Sequence, residues 1–160
     1  MNDLSIPCVL ESHSAADTEA VGAALARAMR APSSLPPFVA LYGDLGVGKT
    51  AFVRGFTSEL APAARVKSPT FSLVNEYRGE SLSVFHFDLY RIEDEEELYS
   101  MGFYDYLDRK GICLTEWSEH IEYALPDRYV RVEILKDSAE HTDHRALRIT
   151  LVEHELRRPS

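Results

Sequence analysis

The chain has 160 residues, 45% of them apolar, and a formal net charge of −9. That length suits one domain with a full hydrophobic core, and that apolar share excludes an intrinsically disordered chain. Acidic residues outnumber basic ones 26 to 17 and the basic ones are scattered, which argues against direct binding of DNA or RNA, because such binding needs a basic stripe to neutralise phosphates.

No apolar stretch reaches the roughly 20 residues of a membrane helix. The start, Met1 to Ser12, lacks the basic head and apolar centre of a signal peptide. The expectation is a cytoplasmic protein with no membrane contact. One domain spanning residues 1–160 is expected, with a frayed tail from about residue 153. Cys8 and Cys113 are far apart and read as small core residues, not as a disulfide.

Ile6 to Glu11 reads as a short first strand. Ser14, with Asp17 three residues on, makes a helix-capping start. Ala20, Val21, Ala24, Leu25, Ala28 and Met29 then recur at helical spacing and mark one apolar face. Pro32 stops that helix, and Pro32 to Pro37 reads as a loop. Phe38 to Tyr42 is a continuous apolar run ending at Gly43, the pattern of a buried strand in a parallel sheet. Phe52, Val53, Phe56 and Leu60 mark one side of a helix from about Lys49 to Leu60, closed by Pro62.

Phe71 to Tyr77 and Leu82 to Leu89 read as strands of a hairpin, joined through Arg78 to Ser81. The acidic run Glu93 to Glu97 reads as a helix start, where carboxylates are favourable, with Gly102 as the stop. Gly111 to Glu116 is another apolar strand. Tyr129 to Leu135 and Leu147 to Val152 close the chain as strands, with a polar connection at Lys136 to His144. Strands and helices alternate early and strands pair late, so the pattern predicts an α/β fold with a mixed β-sheet flanked by helices.

Gly43 to Thr50 matches G-x-x-x-x-G-K-[ST] in full. Glycines let the backbone turn so tightly that several N–H groups face one concavity and grip phosphate oxygens. The helix that follows adds its positive end. Lys49 is placed to reach the β- and γ-phosphates and the Thr50 hydroxyl to ligate Mg²⁺. Asp44, Leu45, Gly46, Val47, Gly48, Lys49, Thr50 and Ala51 are therefore the expected nucleotide contacts.

Such a loop also needs a carboxylate near the metal. Asp88 ends the run Val84 to Asp88, and Glu116 ends the run Ile112 to Glu116. Strand carboxyl ends line the ligand crevice of an open α/β sheet, so either residue can face Mg²⁺ or the attacking water. Thr70, in Lys67 to Phe71, sits where a switch threonine senses the γ-phosphate, or it belongs to a proline-induced turn. Trp117, the one tryptophan, either packs at the core rim or places its ring beside the nucleotide or a partner. The histidines form no metal set in sequence order: His141 and His144 fall in the polar connection and His86 within a strand.

Taken together, Leu41 to Thr50, Val66 to Phe71, His86 to Arg91 and Leu114 to Trp117 resemble the TsaE (YjeE) ATPases of bacterial tRNA modification in motif, order and spacing. The likeness runs from the first helix to about Pro126, roughly three-quarters of the chain. It implies an Mg²⁺-dependent ATPase, binding ATP and ADP and acting in threonylcarbamoyladenosine formation beside the tRNA anticodon. The family's partners are TsaB and TsaD, and the tRNA is met only through that complex.

The resemblance implies that Lys49 and Thr50 serve the phosphates and Mg²⁺, that Asp88 is the essential aspartate, and that Glu116 lies near the metal. It matches Trp117 to the neighbouring tryptophan, Thr70 to the switch-like threonine, and makes Ser14 and Thr18 candidates for the adenine. Val47, Ala51 and Thr115 depart from the usual alanine, threonine and apolar residue at their positions.

Two other readings stand beside this one. A small-molecule kinase needs an arginine-bearing lid, and no arginine cluster follows the fourth strand segment. A GTP-driven switch carries an N-K-x-D base-reading motif, and no such tetrapeptide occurs.

Overall fold

The computed structural model describes residues 4–30, 35–43, 48–67, 73–138 and 141–154, with backbone alone for 137, 138, 141 and 142. The elements in chain order are β1 (Cys8–Ser12), α1 (Ala15–Arg30), β2 (Phe38–Tyr42), α2 (Lys49–Leu60), β3 (Val74–Tyr77) and β4 (Ser83–Asp88). They continue with α3 (Glu95–Ser100), α4 (Phe103–Leu107), β5 (Gly111–Glu116), a 3₁₀ segment (Ser118–Ala124), β6 (Arg128–Ser138) and β7 (His141–Glu153).

The strands form one mixed sheet in the order β1-β7-β6-β2-β5-β4-β3. At its centre β2 runs parallel to β5 and β6, and β4 runs parallel to β5. Antiparallel strands close both sides, β3 on β4 at one edge and β7 with β1 at the other. This is the expected helix-flanked α/β architecture. The parallel strands all end on the side where α2 begins, so their carboxyl ends gather at one rim. No helix among the described residues is long and apolar enough to cross a membrane.

Strand alternation splits the core in two. Val39, Leu41, Val84, Ile112 and Leu114 face α1 and α2, joining Leu25, Phe52 and Phe56. Phe38, Ala40, Phe85, Phe87 and Cys113 face the other way, onto Leu98 of α3, Phe103 of α4 and Ile121 of the 3₁₀ segment.

The helices α1 and α2 touch through their backbones. A methyl group added at Gly22 would lie 2.3 Å from the Phe52 carbonyl oxygen, and one at Gly55 only 1.9 Å from that of Glu19. Backbone cannot swing aside as a side-chain tip can. Gly55→Ala is expected to cost about 3 kcal/mol of stability. For a chain of this size that lowers the thermal midpoint by about 6–12 °C. A calorimetric scan checks this, and an unchanged midpoint would mean the two helices sit farther apart.

Several expectations need correcting. The capping start holds: Ser14 Oγ accepts from Asp17 N (3.1 Å), while Asp17 Oδ2 accepts from His13 N (2.9 Å). The buried face of α1, however, is Thr18, Val21, Gly22, Leu25, Ala26 and Met29, with Ala24 and Ala28 half-buried at its margin and Ala20 exposed. The close approach of α2 onto Gly22 sets that rotation. Gly102 does stop α3, at φ 85°, but it also caps the short helix α4, which sequence spacing did not reveal. Nor was the polar connection a loop along most of its length. β6 continues to Ser138 and β7 starts at His141, pairing Lys136 with Arg145 and Ser138 with His141 across a bulge. Ladder hydrogen bonds form regardless of side-chain polarity, so charged residues extend this arm beyond its apolar part.

Burial pushes the Cys113 thiol up to about 12. Thiolate is the reactive form. Alkylation at pH 8 is therefore expected to leave Cys113 untouched in the folded protein and to label it in denaturant, as peptide mass mapping would show.

Candidate active site

The rim at the carboxyl ends of β2, β4 and β5 collects the residues the motifs singled out. Gly43 follows β2 with φ 152°, and Gly48 precedes α2 with φ 108°. Gly48 is the N-cap of α2, and its left-handed backbone turns the chain sharply into the first helical turn. The first N–H groups of a helix lack intrahelical partners and point outward with the positive end of its dipole. Lys49, Thr50 and Ala51 occupy that turn. Asp44, Leu45, Gly46 and Val47 lie outside the described residues, as does Thr70.

Lys49 is only 6% exposed. Its Nζ donates to the Gly43 carbonyl oxygen (2.9 Å) and lies 3.9 Å from the centroid of the Trp117 ring. These two partners are a dipole and a π face, and the ammonium's charge also acts on Asp88. Trp117 reaches this position from a left-handed backbone, φ 61° and ψ 40°. A bulky residue there is strained, and such strain persists where surrounding contacts demand it. The ring also packs on Tyr90 (4.8 Å between centroids) and His120 (5.6 Å). His120 Nδ1 is fixed at 3.1 Å from the Leu89 carbonyl oxygen. Trp117 thus packs at the rim of the second core cluster and also sets its ring over Lys49.

Asp88 and Glu116 face each other in register at the ends of β4 and β5. Alternation puts both on the α2 side, with Val84 and His86 before Asp88 and with Ile112 and Leu114 before Glu116. Burial raises the Asp88 pKa above its ordinary value; the Tyr90 N–H, donated to Oδ1 at 3.1 Å, opposes that rise, and the Glu116 charge adds to it. Glu116, 6% exposed, accepts from His86 Nε2 at 2.5 Å. His86 itself is fully buried and stacks its ring toward Tyr77.

His86 is a site residue that motif reading passed over. The signal was available: it lies two residues before Asp88 on a strand and so shares its face. Thr115 points the opposite way. Its Oγ1 contacts the Val39 carbonyl oxygen (3.3 Å) and Ser118 Oγ (2.8 Å), tying β5 to β2 and to the turn that carries Trp117. A hydroxyl in place of an apolar side chain thus has a structural use here.

Beside Gly48 and Ala51 lies a cavity of about 190 Å³, lined also by Ser14, Ala15, Thr18, Asp143 and Arg145. Ser14 and Thr18 therefore do border the loop. Thr18 Oγ1 is held by Ser12 Oγ at 2.7 Å.

The chemistry of this rim suits a polyanion with a hard cation. A helix N-terminus and the Lys49 ammonium attract negative charge, and the Thr50 hydroxyl with the Asp88 and Glu116 carboxylates offers oxygen donors only. Mg²⁺ prefers such donors, and a bound cation would stabilise the ionised Asp88 that burial, with a smaller part from Glu116, disfavours.

The sequence model of the family described as "Threonylcarbamoyl adenosine biosynthesis protein TsaE" matches residues 12–147. The chain is similar to the tRNA threonylcarbamoyladenosine biosynthesis protein TsaE of Haemophilus influenzae, 47% identical over 96 residues, which are 60% of this chain and 61% of that relative. The match thus spans less than two thirds of that relative's length. The protein of the same name from Bacillus subtilis is 39% identical over 112 residues, 70% of this chain and 68% of the relative. Among solved structures, the crystal structure of Bacillus subtilis YdiB superposes with a TM-score of 0.71 at 26% identity, covering 94% of this chain and 88% of that one.

Proposed function

The chain belongs to the TsaE family, and on that premise we propose that it is the ATP-hydrolysing component of tRNA threonylcarbamoyladenosine biosynthesis. One observation carries the catalytic part of this reading. The buried Lys49 ammonium stands at the start of α2, held by Gly43 and Trp117, on the same face as Asp88 and Glu116.

In this reading ATP lays its β- and γ-phosphates over the first turn of α2. Lys49 binds the phosphate oxygens and offsets the charge that builds on them during transfer to water. Mg²⁺, held by Thr50 with Asp88 and Glu116, would supply further charge neutralisation. His86 fixes the Glu116 carboxylate, so that its free oxygen keeps one direction. Trp117 shields Lys49 from water and strengthens its field at the phosphates. Asp88 orients water or the metal. Residues 44–47 and Thr70 are, from the sequence, the remaining candidate phosphate contacts.

The acidic chain, at −9, suits a protein that meets tRNA through partners, here TsaB and TsaD, in the cytoplasm. No arginine finger is evident in the sequence, so turnover is expected to be weak alone and to rise when both partners are added. The test is ATP hydrolysis by the chain with and without purified TsaB and TsaD, using Asp88→Ala as control. Stimulation lost in the variant supports the reading. Fast turnover without partners, or nucleotide binding with no response to them, would overturn it.

A further inference from the structure

We propose that Glu11, His13 and His144 form a second metal site, for a borderline divalent ion of the Zn²⁺ class, at the β1–β7 edge of the sheet. Candidate ligand atoms of the three side chains all lie within 4.8 Å of one another. Sequence order separates His144 from the other two by over a hundred positions, so inspection of the histidines along the chain gave no such set.

The strand ladder brings them together. β1 pairs antiparallel with β7, Glu11 opposite Ala146 and Ser12 opposite Arg145. One step further, His13 meets His144, and the two rings stack 4.4 Å apart at 15°. At the end of β1 Ser12 is buried, while Glu11 before it and His13 just beyond the strand are exposed. Glu11 on β1, His13 just past the strand's end and His144 across on β7 thus lie on one face. His144 Nε2 lies 3.7 Å from Glu11 Oε1.

Tetrahedral Zn²⁺, with bonds of about 2.0–2.1 Å, needs ligand atoms about 3.3 Å apart. The ladder holds the backbones, so only side-chain rotation must close that gap. Glu11, with its side chain 69% exposed, and the exposed His13 are free to rotate. Two imidazoles with one carboxylate favour Zn²⁺, Ni²⁺ or Cu²⁺ over Mg²⁺, whereas the oxygen-only rim favours the reverse. Three protein ligands leave the fourth position to water.

The site's neighbours give it a consequence. Asp143 and Arg145, on either side of His144, line the cavity beside Gly48, and so does Ser14, next to His13. An ion held here would clamp the end of β1 to the start of β7 and fix two walls of that cavity.

The test is calorimetric titration of the full-length, chelator-stripped chain with Zn²⁺ in excess Mg²⁺, alongside His13→Gln, His144→Gln and Glu116→Gln. One Zn²⁺ per chain with micromolar or tighter affinity is expected. Each histidine variant should weaken it at least about tenfold, since even outer-shell partners of a metal change affinity by 10–100-fold. Glu116→Gln should bind Zn²⁺ as the native chain does. Zn²⁺ should also raise the melting midpoint of the native chain and not of His13→Gln, an exposed position whose change leaves the metal-free fold intact. Binding only in the millimolar range, binding as tight as the native chain's in both histidine variants, or loss in Glu116→Gln alone would each overturn the assignment.

Discussion

Replacing Lys49 with alanine is expected to lower ATP turnover by about a hundred- to a thousandfold, the loss typical of removing one preorganised donor to a developing charge. The fold should survive. Among the described residues the side chain contacts a carbonyl oxygen and a ring, and losing a cation–π contact costs about 0.5–2 kcal/mol. Removal of a desolvated charge offsets part of that. Trp117, the one tryptophan, supplies an internal readout. With no ammonium 3.9 Å from its ring, its emission should change in the variant even without nucleotide. Arginine should not restore turnover, because its planar fork is longer and differently shaped than an ammonium. Single-turnover hydrolysis and tryptophan emission together check the claim. Turnover within threefold of the native chain would sink the role given to Lys49.

Legibility in the sequence followed the physics of each segment. The run Phe38 to Tyr42 and the helix Lys49 to Leu60 emerged with the bounds expected of them, because continuous burial and a strict apolar face leave one arrangement. The same holds for Gly111 to Glu116, buried at every position. The rim residues Lys49, Asp88, Glu116 and Trp117 were each nameable from motif and strand end. Their mutual geometry was not. That Trp117 turns back over Lys49 depends on a left-handed backbone in a non-glycine residue, which no local propensity announces. His86 was hidden because a buried histidine in an apolar strand looks like packing until its neighbour Glu116 is known. The rotation of α1 depends on where α2 presses against Gly22, a contact between segments thirty residues apart. The long β6–β7 arm escaped because its outer part is polar, and backbone pairing leaves no trace in hydropathy.

Asp88→Asn should stabilise the nucleotide-free protein near neutral pH while reducing turnover at least about a hundredfold. The folded state raises the Asp88 pKa, mainly by burial and also through Glu116. A carboxyl raised on folding contributes stability in full below its unfolded value of about 3.9, and that contribution is lost as pH rises through the folded value. At pH 7.5 the ionised side chain therefore weighs against the fold. Asparagine removes the charge but still accepts from the Tyr90 N–H, so the local turn is kept. The melting midpoint of the variant should exceed the native one at pH 7.5, and the two should converge below about pH 4. Added Mg²⁺ and nucleotide should reverse the order, since ligand binding to the native site stabilises by mass action and the variant has lost a ligand oxygen's charge. That reversal is what separates a carboxylate kept for function from one kept for structure. A variant less stable than the native chain at pH 7.5 would mean that Asp88 holds the end of β4 in place, and its role at the phosphates would need another argument.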